Sequence, residues 1–281
     1  MPSNLTMATP YRVSTITANG HIGSSIQQSV FFEHVHLVAF ESDTPGFIWI
    51  EWGTQHTRGT FPKKRRKTER KIFDNQITVI YKIKEGYMPN IKLFRNGNIQ
   101  MTGIRTVEDG IKIIEIMTEE VRRIAKAGSL SQIGEEMKPI VEDAEVLKGR
   151  DFTIRMINSD FAVPYKIRRK ELHRLLMEDY GNKCSYQPET YPGVKLQYFW
   201  NQQSNKHDGC CHCPTMCFGK EDGKSQCKKV TVSIFQSGKV LITGATSFKQ
   251  VDDAYQYITK ILEEQKERIE LNLTALTGIV F

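Results

Sequence analysis

The feature that most constrains this chain is an internal repeat. Phe94 to Gly103 reads FRNGNIQMTG and Phe235 to Gly244 reads FQSGKVLITG, an ungapped match at an offset of 141 residues in which Phe, Gly, Thr and Gly coincide. A repeat of this kind sets the fold before any local propensity does. In the second copy Val230, Val232 and Ile234 alternate with Thr231, Ser233 and Phe235, and beyond Gly238 the residues Val240 and Ile242 alternate with Leu241 and Thr243. In the first copy Ile91, Leu93, Ile99 and Met101 share one face, and Lys92, Phe94, Gln100 and Thr102 the other. Period-two alternation around a glycine-containing turn predicts an antiparallel hairpin with its aliphatic face buried. Val107, Ile111, Ile114, Met117 and Val121, and again Phe248, Val251, Tyr255, Ile258 and Leu262, fall on helical stripes that could cover those faces. The face carrying Phe94 and Phe235 is then left for another partner.

Upstream of each hairpin the pattern predicts a strand and a helix, over about 11–18 and 24–34 and again over about 152–161 and 168–180. Strand, helix, several strands, helix thus occurs twice, which predicts an α+β protein of two repeats. The divisions read from the sequence are 1–125, a connector at 126–150 with helical potential over 132–147, 151–265, and a tail at 266–281.

Charge and cysteine are concentrated in two insertions. The formal net charge is +7, yet Lys63, Lys64, Arg65, Arg66, Lys67, Arg70 and Lys71 stand against Glu69 alone, so the insertion at 61–71 carries nearly all of the excess. Nucleic-acid contact elsewhere must then rest on shape, stacking and hydrogen bonds. Pro62 with Lys63, Lys64, Arg65, Arg66 and Lys67 also has the form of a nuclear localisation signal, against the plainer reading of a solvated charged loop. The second insertion, 204–228, holds His207, Cys210, Cys211, His212, Cys213, Cys217 and Cys227. In a reducing compartment such cysteines favour thiols or metal. Cys210, Cys213, Cys217 and Cys227 are expected to hold a structural zinc, with Cys211, His207 and His212 as substitutes and free thiols or local disulfides as the alternative. The sequence has no long apolar run expected of a membrane span, no secretory signal at its start, and none of the nucleotide-binding, zinc-protease or serine-hydrolase motifs. A pairing of Cys184 with His173 is the one nucleophilic arrangement conceivable. An enzyme is therefore not expected.

The stretch Ser185-Tyr186-Gln187-Pro188-Glu189-Thr190-Tyr191-Pro192-Gly193 resembles S-Y-E-P-E-L-F-P-G of the TATA-box-binding protein family, and Ile234 to Ala245 resembles its I-F-V-S-G-K-V-V-L-T-G-A. Val13-Ser14-Thr15 and Phe94 to Gly103 resemble the first repeat more loosely. The long insertions are similar to those of versions carried by large DNA viruses. The resemblance implies a pseudo-symmetric, curved antiparallel saddle with helices on its convex side and duplex DNA beneath the concave one. It implies wedge roles for Phe94, Phe235 and Tyr191, and for Phe73, since strict spacing lands on Gln76. It places the groove-reading positions at Tyr11, Val13, Lys92, Gln100, Thr102, Met156, Asn158, Ser233, Leu241 and Thr243. The family's two asparagines fall on Tyr11 and Met156, so a TATA consensus is not expected. Gln187, Glu189 and Thr190 correspond to a contact for transcription factor IIB, of which Glu189 alone is retained. The expected partners are double-stranded DNA and a transcription factor IIB-like protein, with no membrane, and the chain is expected to act as a monomer or weak dimer in the nucleus, the host's nucleus for a viral chain. An architectural DNA-binding protein without a role in initiation is the alternative.

Overall fold

A computed structural model describes residues 8–53, 56–61, 75–128, 130, 138–203, 206–220 and 226–271. These form two compact units, Thr15–Arg155 and Met1–Ser14 together with Met156–Phe281. The strands are β1 (Arg12–His21), β2 (Gly46–Trp52), β3 (His56–Gly59), β4 (Gln76–Lys82), β5 (Asn90–Phe94), β6 (Asn98–Ile104), β7 (Arg150–Ala162), β8 (Lys183–Gln187), β9 (Tyr191–Trp200), β10 (Lys228–Ile234) and β11 (Lys239–Ala245). The helices are α1 (Gln28–His34), α2 (Val107–Lys126), α3 (Arg169–Glu178), α4 (Phe248–Glu264) and α5 (Lys266–Ile269). The fold class is α+β, as expected.

In the unit Thr15–Arg155 the strand order is β3-β2-β4-β5-β6-β1; in the other it is β7-β11-β10-β9-β8. The pairings within each unit are antiparallel. The repeat holds at the level of register. Asn19 pairs with Gln100, Gln100 with Lys92 and Lys92 with Thr78. In the second unit Asp160 pairs with Leu241, Leu241 with Ser233 and Ser233 with Lys195. The first three members of the two rows are related by the same 141 positions as the motif itself.

Burial follows the alternation. Ile77, Val79, Ile91, Leu93, Ile99 and Met101 are buried in one unit, and Val194, Leu196, Val230, Val232, Ile234, Val240 and Ile242 in the other. Against them lie Ile113, Ile114, Met117, Val121 and Ile124 of α2 and Val251, Ala254, Ile258, Ile261 and Leu262 of α4. The helical stripes are thus rotated from the expected ones, since Ile111 and Phe248 are exposed. At the position where Gly110 faces the sheet there is no room for a side chain, because an added Cβ would lie 2.4 Å from Phe152 and 2.8 Å from Ile104.

Both hairpins turn on a glycine in the left-handed region, Gly97 (φ +82) and Gly238 (φ +85). A Cβ there would lie 2.0 Å from the Ser24 carbonyl oxygen and 2.5 Å from that of Val163. The helix starts also repeat: Thr106 accepts from the Asp109 amide before α2, and Ser247 from the Gln250 amide before α4. The described part of the connector, 138–149, contains no helix. The Gln27 amide donates to the Ile140 carbonyl and the Lys148 amide to that of Ile22, which hold it as an extended strap along its own unit. Among the described residues no helix is long and apolar enough to cross a membrane.

Candidate nucleic-acid interface

In each unit the helices cover one sheet face, and the opposite face presents short polar side chains with aromatic residues at its end. In the unit Thr15–Arg155 this open face carries Asn19, Gln100, Lys92 and Thr78 in one row, with Thr17 opposite Thr102 in the next. Phe94 follows at the end of β5, half-buried and opposite Gln76. In the second unit the row is Asp160, Leu241, Ser233 and Lys195, with Thr243 opposite Thr231 and Thr231 opposite Gln197. The Thr243 hydroxyl lies 3.5 Å from the Thr231 carbonyl oxygen, and Ser233 is almost fully covered.

Tyr191 and Phe235 come together at the end of the second unit's open face, with ring centroids 5.7 Å apart and planes tilted by 56°. The Lys195 ammonium sits 3.9 Å from the Tyr191 ring centroid, so the pair carries a cation on its flank. Gly193 makes the arrangement possible, because a Cβ there would lie 2.8 Å from Tyr191 and 3.2 Å from Phe235. Register also relates the ends of the two open faces. Ile234 pairs with Val194, which puts Gly193 across from Phe235, as Gln76 is across from Phe94. Gln76 is thus the counterpart of Gly193, and the counterpart of Tyr191 falls two residues earlier. That position, the candidate Phe73, and the cluster Lys63, Lys64, Arg65, Arg66 and Lys67 lie outside the described residues.

Among the expected groove-reading positions, Tyr11 makes contacts with α4. The Tyr11 hydroxyl donates to Asp252 of α4 at 2.6 Å, and its ring meets Tyr255 of the same helix edge-on at 5.4 Å. Burial, and then the bond to Asp252, raise the Tyr11 hydroxyl to about 12. Tyr11 is therefore spent on α4. The repeat offset relates Met156 to Thr15 instead. Val13, Met156 and Asn158 are half-buried on β1 and β7. The side-chain oxygens of Asn158 and Asn19 are buried with no partner in the protein. Asp160 is an acidic group on the open face, and the guanidinium of Arg12 pairs with it at 2.9 Å. Asn19, Thr17, Thr78, Asp160 and Lys195 were missed by sequence reasoning. The 141-residue offset relates Asn19 to Asp160, as it relates Gln100 to Leu241, but only the strand register places either of them on the row.

Gln187, Glu189 and Thr190 form the exposed turn between β8 and β9, where the Thr190 amide and hydroxyl both donate to the Gln187 carbonyl, at 3.1 and 3.2 Å. Burial pushes the Cys184 thiol up to about 12, the opposite of what a nucleophile requires, and His173 packs on Tyr186.

The expected metal ligands are regrouped. Cys211, Cys213, Cys217 and Cys227 place their four sulfurs within 4.8 Å of one another. Cys210 is excluded from that group: its sulfur faces the carbonyl of Gly181 and the side-chain amide of Asn182, both at 3.5 Å. The local fold explains the exchange, because the Cys210 amide donates to Asp208 and turns the chain between the adjacent cysteines. His212 is also engaged elsewhere, 2.8 Å from Asp208, and His207 is exposed and outside the group. Burial alone would raise the Cys217 thiol, but the amides of Cys227 and Gly219 and the neighbouring thiols outweigh it and bring it to about 7.

Residues 151–265 match the family model described as transcription factor TFIID, or TATA-binding protein. A "TATA-box-binding protein-like" protein of Acanthamoeba polyphaga mimivirus is 28% identical over 273 residues, covering 92% of this chain and 67% of that protein. Among solved structures, Methanococcus jannaschii TBP aligns with a TM-score of 0.48 and 18% identity, over 92% of this chain and 99% of that one. The family's domain thus falls in the second half of the chain, and the similarity to the viral TATA-box-binding protein-like relative runs along nearly the whole of it.

Proposed function

We propose that this protein binds duplex DNA in the minor groove and bends it, acting as a TATA-box-binding-like initiation factor with an altered base preference. The observation that carries the reading is the equivalent register of Phe94 and Phe235, each at the end of a sheet face that its own unit's helices leave free. Apolar wedges on such a face unstack base steps and kink the duplex; this family is itself the standard example, at a cost of a few kcal/mol per step. The saddle arrangement and the wedge role of Phe73 belong to the same reading.

The polar row Asn19, Gln100 and Lys92 supports a preference other than uniform A·T. The guanine amino group is the donor that distinguishes G·C in the minor groove, and the side-chain amide of Gln100 can accept from it where an aliphatic residue cannot, while Lys92 offers a donor to the base acceptors. The exposed turn Gln187, Glu189 and Thr190 is the proposed contact for a transcription factor IIB-like partner. Zinc in the Cys-rich insertion, a nuclear address in the basic insertion, and action as a monomer or weak dimer complete the proposal. Selection from random duplex DNA should enrich a defined site, and end-labelled selected duplexes should shorten on binding by energy transfer. Recovery of no enriched duplex would reject the reading. Footprints extended by transcription factor IIB favour the initiation role, and footprints indifferent to it favour the architectural alternative.

A further inference from the structure

The Cys-rich insertion is the largest described feature that the DNA-facing residues leave unused. It joins β9 to β10 and is tied to its own unit at two places: the Phe199 amide donates to the Gly209 carbonyl at 2.9 Å, and the Lys229 amide to the Gly219 carbonyl at 2.8 Å. Between these ties, residues 210–218 form neither helix nor strand. They contribute no buried apolar side chain, and Met216 and Phe218 are 79% and 62% exposed. A loop of this kind has no core to offset its ordering entropy.

What it has is sulfur. The Cys213 and Cys227 sulfurs lie 3.5 Å apart and those of Cys227 and Cys211 3.8 Å apart. A tetrahedral zinc with bonds of about 2.3 Å holds neighbouring sulfurs roughly 3.8 Å from one another, whereas a disulfide needs about 2.05 Å. Cys227 is 1% exposed and immediately precedes β10, so the fourth sulfur belongs to the sheet and the other three to the loop. Four thiolates around a divalent ion leave a net negative charge, and Lys220, Lys228 and Lys229 stand beside it in the chain, with Lys220 bridged to Lys228.

We infer that Cys211, Cys213, Cys217 and Cys227 bind one zinc ion as four thiolates, fastening the insertion to the root of the strand whose far end leads to Phe235. The assignment deepens the metal part of the proposed function and is independent of the DNA-facing residues. Its test uses the full chain purified in reducing buffer. Elemental analysis should find one zinc per chain in the wild type and in Cys210→Ser, and less than about half of that in Cys211→Ser and Cys217→Ser. Cobalt added to the zinc-stripped protein should give the visible and thiolate charge-transfer bands of a tetrahedral four-sulfur site. Wild type that takes up neither metal overturns the site, as does zinc lost from Cys210→Ser but kept by Cys211→Ser. Duplex retardation on the same samples separates the two readings: retardation without zinc overturns the metal site alone, and zinc without retardation overturns the DNA reading alone.

Discussion

Phe235 and Asp160 show how single residues divide between attraction and restraint. Phe235 is half-buried against Tyr191, and Gly193 beneath it leaves the ring room. Phe235→Ala should leave the fold intact and weaken duplex binding by about 1–3 kcal/mol, the range of one aromatic–base stacking contact, or roughly 5- to 150-fold. The same change should reduce the bend measured by energy transfer, and equal bends in both proteins would argue against a wedge. Asp160 makes the opposite prediction. Its partner Arg12 is 80% exposed, so the pair contributes less than about 1 kcal/mol to stability. On a DNA-facing surface its effect is larger, because the carboxylate repels phosphate once Arg12 is withdrawn. Arg12→Ala should therefore weaken retardation at low salt, and Asp160→Asn should strengthen it, with thermal melting nearly unchanged in both. A melting shift large enough to account for the binding change would assign the pair to the fold instead.

The repeated elements carry the part of the structure that was legible from residue order. Alternation about Gly97 and Gly238 located both hairpins, because two period-two runs joined by a short glycine turn can bury their aliphatic residues together only by folding back on each other. The caps repeat at the same offset, Thr106 with Asp109 and Ser247 with Gln250. Thr106→Ala and Ser247→Ala should each lower the unfolding free energy by about 1 kcal/mol, read as a lower urea midpoint at constant slope. An unchanged midpoint in either variant would show that its helix start is held by neighbouring packing instead. What was not legible depended on contacts across the chain. Tyr11 lies at the edge of a strand pattern, but Asp252 and Tyr255 draw it to α4. Ile111 fits a helical stripe by spacing, yet Gly110 permits the closer approach and turns Ile111 outward. Cys210 and Cys211 are adjacent and chemically identical, and the hydrogen bond from the Cys210 amide to the Asp208 carboxylate, with the contacts of the Cys210 sulfur to Gly181 and Asn182, separates the one from the group that the other joins.

At the scale of the whole molecule, charge is distributed in a way that separates affinity from sequence reading. Seven of the basic residues lie between Lys63 and Lys71, while the described open faces carry few cations. Replacing Lys63, Lys64, Arg65, Arg66 and Lys67 by serine should reduce the slope of log affinity against log salt by about 0.9 for each phosphate that these side chains neutralise. The selected base preference should survive. A slope that does not move would place the cluster away from DNA and leave it the nuclear address alone. The division of the chain has a consequence for synthesis. Thr9, Tyr11, Arg12 and Ser14 find their partners at Ala162, Tyr255, Asp252, Asp160 and Asn158, as far as 246 positions along the chain. On the ribosome the unit Thr15–Arg155 has all its residues in hand long before α4 emerges. Residues 9–14 find their partners only after that unit has been made, so the second unit is completed by residues that precede the first one in the chain.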